Sequence, residues 1–155
     1  MSDHPVAVDW SLVDGDGAFL AGRYDRAHRL IFEGGLTLAG SPSPAVVAPP
    51  YSHAGALDPE AAFTAALSAC HMLWFLDLAR QAGLVVAAYR DEAVGTLGRI
   101  GPGRQAMTKV VLRPRVVWGG AQWPSAEQIQ GLHHSAHELC FIANSVTTEV
   151  TVEPL

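Results

Sequence analysis

Residues 57–75 read LDPEAAFTAALSACHMLWF. Asp58 has the short acceptor side chain of a helix N-cap, Pro59 suits the first helical position, and Glu60 complements the positive helix start. The helix is expected to run to about Ala82, where Gly83 supplies the stop. Phe63, Ala66, Leu67, Cys70, Leu73 and Trp74 recur at spacings of three and four. Ala62, Ala65, Ala69, Met72 and Leu76 make the opposite side apolar too. A helix apolar all round is a central, buried one. The question it poses is the cysteine at its middle, which is either an inert small hydrophobe or a nucleophile sheltered from water.

Outward from this helix the chain alternates strand and helix signals. VAVDWSLV (6–13) reads as a strand, followed by a DGDG turn (14–17). GRYDRAHRLIFEGGLTLAG (22–40) reads as two strands joined through EGG, and SPSPAVVAPPYSHAGAL (41–57) as a long irregular loop. LVVAAYRDEAVGTLG (84–98) and MTKVVLRPRVVW (107–118) read as two long strands around RIGPGRQ. A second helix follows in 123–146, with Ser125 and Gln128 as a capping box and Ile129, Leu132, Ala136, Cys140 and Ala143 as its stripe. TTEVTVEPL (147–155) closes the chain as a strand. This order predicts an α+β fold, two helices on a largely antiparallel sheet, in one domain spanning 1–155.

Composition narrows the function. The formal charge is −5, and no basic run or aromatic-interleaved Lys/Arg stripe occurs, so a nucleic-acid or anionic-membrane partner has no general electrostatic support. No signal-peptide pattern opens the sequence, and the longest apolar run, CHMLWFL (70–76), is short for a bilayer span; a cytoplasmic location is expected, with no membrane. The 155 residues hold only two cysteines, Cys70 and Cys140. In a reducing compartment two such thiols are either both core residues or a redox pair. HHSAHELC (133–140) offers a rival, since His133, His137 and Cys140 at spacings of four and three share a helix face and, with His71 or Cys70, would make a zinc site. The HExxH and CxxC patterns are absent. Arginines cluster in GRYDRAHR (22–29), either as a solvated strand with Asp25 pairing locally or as the source of a guanidinium that lowers a thiol pKa.

LDPEAAFTAALSAC (57–70) resembles the motif of the OsmC/Ohr superfamily, the osmotically induced and organic hydroperoxide resistance proteins, in which a cysteine follows the glutamate by ten residues. AHELC (136–140), leading into the final strand, resembles the second family motif, and YDRAHRLIFEGG (24–35) the N-terminal hairpin of one branch. The resemblance implies a thiol peroxidase with Cys70 as peroxidatic and Cys140 as resolving cysteine. Glu60 would hold a catalytic arginine. Arg26 is chosen for that role by its distance from EGG, with Arg23 and Arg29 as alternatives. The implied substrate is an organic hydroperoxide and the reductant an external dithiol, for which the family suggests a lipoyl type, with no cofactor or metal. Three departures are visible: His71 where Phe is common, Phe141 where Pro is common, and no arginine in the loop before Glu60. A pocket of His71, Met72, Trp74 and Phe75, together with Leu73, is expected to take the alkyl or aryl group. Ten helical residues from Glu60 to Cys70 span roughly 15 Å, so one arginine cannot easily serve both on a single helix. That geometry and the family resemblance predict an intertwined homodimer. The alternatives are a non-catalytic binding module of the same fold and the zinc protein.

Overall fold

A computed structural model describes all 155 residues. Two compact units divide the chain, Met1–Ala62 and Phe63–Leu155.

In the first unit, β1 (Val6–Asp9), β2 (His28–Phe32) and β3 (Thr37–Gly40) form an antiparallel sheet in chain order. β1 is shorter than its alternating sequence suggests: Trp10 leaves the ladder, and its indole N–H bonds the Asp25 carbonyl at 2.9 Å. The DGDG turn leads into a short helix, α1 (Asp16–Leu20). EGG makes the β2–β3 turn, with Gly34 and Gly35 at φ of +86° and +90°, a conformation glycine adopts without Cβ strain. Loop 41–57 is irregular as expected, and a Gly40–Leu57 bridge ties its ends. The expected strand over Gly22–Ala27 is absent, so Arg26 lies in an irregular segment before β2.

α2 (Pro59–Gln81) begins and ends where the sequence predicts. The Asp58 carboxylate accepts the Ala61 N–H at 2.8 Å, and Gly83 takes a φ of +74°. The buried row differs from the expected stripe. It is Leu67, His71, Phe75 and Ala79, every fourth residue, while Leu73 is 63% exposed. With apolar residues on every side, periodicity alone does not fix the helix's rotation. By length and hydropathy α2 reaches a membrane span, contrary to the count of consecutive apolar residues, and only 17% of that apolar window is buried in one chain.

In the second unit, each of the two long strands breaks in two. β4 (Val85–Asp91) pairs with β7 (Pro114–Gly119), and β5 (Val94–Gly101) with β6 (Arg104–Leu112), all antiparallel. Pro114 explains the break, since it has no N–H to give a ladder. Asp91 stitches it, accepting the Arg113 N–H at 2.6 Å and the Ser68 hydroxyl at 2.5 Å. The final strand, β8 (Glu149–Val152), lies parallel to β6, the one parallel pair in the sheets. Leu67, Val110 and Leu112 are buried together, packed by Phe63, Ile142, Val146, Val150 and Val152. α3 (Ala126–Leu139) starts with the predicted capping box: Ser125 Oγ accepts the Gln128 N–H, and Gln128 Oε1 accepts the Ser125 N–H. It ends one residue before Cys140, which adopts extended backbone as the C-cap and is not on the helical stripe.

Candidate active site: two thiols

Folding brings Cys70, on α2, to Cys140, at the end of α3. Both are free thiols, and they lie close enough for the Cys70 side chain to act on the Cys140 proton. The two are unequal. Cys140 is 1% exposed, whereas Cys70 is half-buried. Burial pushes the Cys140 thiol up to about 11, and its hydrogen bond to Cys70 pushes in the same direction by favouring the protonated form. The Ala143 N–H donates to Cys140 Sγ at 3.4 Å and works weakly against this. Cys140 therefore keeps its proton at neutral pH.

Of the pocket residues expected on α2, two are corrected. His71 and Phe75 are buried at 1% and 0% exposure and belong to the core. His71 Nε2 meets His133 Nδ1 at 3.0 Å, and Phe75 stacks on the His133 ring at 4.3 Å. Burial holds both imidazoles down at about 4, so they are neutral, and one N–H donates to the other's lone pair. Met72 is half-buried and Leu73 exposed. Trp74, one turn beyond Cys70, packs edge-to-face on Phe141 with ring centroids 5.5 Å apart. Phe141 follows Cys140 directly and is 68% exposed.

The zinc alternative is also corrected. His133, His134 and His137 line a cleft of about 360 Å³ with Gln130, Val150, Val152 and Pro154, but no three His, Cys, Asp or Glu side chains gather as metal ligands. Cys140 turns off the helix toward Cys70, and His133 turns toward His71.

Arg26 and Glu60 belong to the first unit. Glu60 is half-buried in the first turn of α2. Arg26 sits in an aromatic cleft of about 300 Å³ lined by Val8, Trp10, Phe19, Tyr24 and His28. Its guanidinium lies 3.9 Å from the Tyr24 ring centroid and donates to the Tyr24 and Gly22 carbonyls at 3.0 and 3.4 Å. The alternatives differ in setting. Arg29 is exposed and paired with Asp9 across the β1–β2 ladder, and Arg23 is exposed.

A two-thiol protein on an α+β frame of largely antiparallel sheets is the class these features define. The OsmC-like protein family model matches residues 52–154, and the chain belongs to that family. An OsmC-like protein of unknown function from Vibrio cholerae is 48% identical over 100% of both chains, with a TM-score of 0.95. At 17–18% identity the fold alone is shared with two others. One is an organic hydroperoxide resistance protein from Elizabethkingia anophelis (TM-score 0.70, 99% of this chain and 94% of that one). The other is the organic hydroperoxide resistance protein OhrB of Bacillus subtilis (TM-score 0.64, 99% and 98%). A search of curated proteins gave no match.

Proposed function

We propose that the protein is a thiol peroxidase that reduces organic hydroperoxides to alcohols. The observation that carries this reading is the proximity of two free, unequal thiols far apart in sequence. The accessible Cys70 is the peroxidatic residue. Its thiolate attacks the terminal peroxide oxygen, the O–O bond breaks, and the alkoxide leaves as alcohol after taking a proton, so that Cys70 becomes a sulfenic acid. The Cys140 thiol then displaces water from that sulfur and forms the Cys70–Cys140 disulfide. An external dithiol reduces the disulfide by exchange and is itself oxidised. A Cys140 thiol that stays protonated is a poor nucleophile against the peroxide and a good hydrogen-bond donor to Cys70, which favours this division of labour.

The attacking sulfur must be a thiolate, which a neighbouring cation favours. Arg26 supplies it, oriented by Glu60 through a bidentate pair. The 15 Å rise from Glu60 to Cys70 favours Arg26 and Glu60 of the partner subunit in an intertwined homodimer. The exposed apolar surface of α2 supports the same assembly. Trp74, Phe141 and Met72 form the apolar wall for the alkyl or aryl group.

The test is consumption of cumene hydroperoxide with a dithiol reductant. Cys70→Ser is expected to abolish turnover, and wild-type rates in that variant would end the peroxidatic assignment. Arg26→Gln mixed with Cys70→Ser chains after dissociation and reassociation is expected to recover activity, since one heterodimer site then holds both native groups. No recovery, with exchange verified by mass, refutes the shared site.

A further inference from the structure

The segment that carries Arg26 has no regular structure, yet the residue before it is anchored from two distant stretches of chain, 10–14 and 53. The Asp25 N–H donates to Asp14 Oδ2 at 2.7 Å, and the Asp25 carbonyl accepts the Trp10 indole N–H at 2.9 Å. Asp25 Oδ1 accepts the Ala27 N–H at 2.9 Å and meets His53 Nε2 at 2.9 Å. His53, in loop 41–57, is itself fixed, because its N–H donates to the buried Ser41 hydroxyl at 2.8 Å. On the other side of the segment, His28 Nδ1 lies 2.9 Å from the Arg26 carbonyl.

We infer that Asp25, braced by His53, is a positioning residue for Arg26: it fixes the backbone from which the guanidinium acts on the peroxidatic thiol. A turn alone requires only the Ala27 N–H, which Asn or Ser at position 25 also satisfies. The His53 contact adds nothing to that turn. It joins loop 41–57 to the arginine segment. Both hydrogen bonds hold the Asp25 carboxyl below its ordinary range, the Ala27 N–H foremost and His53 next, so the brace is charged on the acidic side at neutral pH. This inference rests on the proposed role of Arg26 and extends it to residues that never touch substrate.

The experiment reads the Cys70 thiolate directly. In a Cys140→Ser background, the pH dependence of iodoacetamide alkylation gives its titration midpoint. Arg26→Gln is expected to raise the midpoint by about one to two pH units. Asp25→Ala and His53→Ala are each expected to raise it by about half a unit, and to lower kcat/KM for cumene hydroperoxide several-fold in the two-cysteine protein while the KM for dithiol stays constant. His53→Gln keeps a side-chain donor and is expected to restore most of the loss. An Arg26→Gln shift with no shift in Asp25→Ala or His53→Ala refutes the brace and leaves the role of Arg26 standing. No shift in Arg26→Gln removes both. Should Asp25→Ala misfold by circular dichroism, the partly exposed His53→Ala decides.

Discussion

The two units are built on different physics. Phe63–Leu155 has an apolar interior: Leu67, Phe75, Val110, Leu112 and Ala136 are nearly or wholly buried, and its polar interior groups, His71 and His133, bond each other through one ring nitrogen apiece. Met1–Ala62 has no large buried hydrophobe. Its buried side chains are the serines Ser41 and Ser52, and Val6, Val8, Phe19 and Leu20 are exposed. What orders it is a strand ladder and a set of side-chain hydrogen bonds centred on Asp25. The difference assigns tasks. A packed interior holds two sulfurs in fixed proximity, because close-packed side chains do not drift. A hydrogen-bonded segment holds an arginine at lower cost in rigidity, and opening it costs far less than opening a core.

The contrast can be broken at its strongest point. Leu67→Ala is expected to cost about 2–5 kcal/mol, read as a shift in urea midpoint at unchanged m-value. A loss below 1 kcal/mol, outside the range expected for a packed leucine, would place the core elsewhere. The imidazole pair gives the next effect. Its unfolded-state groups bind protons near 6.5 and its folded ones only near 4. The unfolded chain therefore holds more protons between those values, and stability is complete above about pH 6.5 and falls as pH drops toward 4. One imidazole contributes roughly 3 kcal/mol to this loss, and the shared hydrogen bond keeps two from simply doubling it. His137 and the Asp91 carboxylate modulate the pair, in opposite directions. Urea melts at pH 7.5 and 4.5 measure it, and a His133→Phe variant should show a flatter profile. Equal pH slopes in the two proteins would exclude the pair as the source.

Smaller effects sharpen the description of the first unit. Asp58→Ala removes the α2 cap and should cost about 1 kcal/mol, detectable by thermal melting; Asp58→Asn should recover most of it. Arg29→Ala breaks an ion pair whose partners are 63% and 50% exposed, so a loss between 0 and about 1 kcal/mol is expected. A larger loss there would mean that surface charge, not the ladder, orders this sheet.

Much of the fold was legible in the residues. Asp58, Pro59 and Gly83 set the ends of α2, and Ser125 with Gln128 set the start of α3, because capping is local chemistry. EGG placed the β2–β3 hairpin for the same reason. The site was legible in part. The resemblance pointed to Cys70 and Cys140 as a pair, and the fold puts their thiols close together. It also pointed to His71 and Phe75 as pocket residues, and both are core. The packing of Phe141 on Trp74 and the Asp25–His53 brace carried no readable pattern, since each depends on who the neighbour is.

The sequence by itself determined where α2 begins and ends, where α3 begins and where the β2–β3 hairpin turns. Those features are decided within a few residues by caps, turns and side-chain spacing. Only the tertiary structure decided which row of α2 faces inward, that Cys140 leaves its helix toward Cys70, and that His71 finds His133. Each of these is a contact between residues distant along the chain, and on a helix apolar on all sides the periodicity does not select among them.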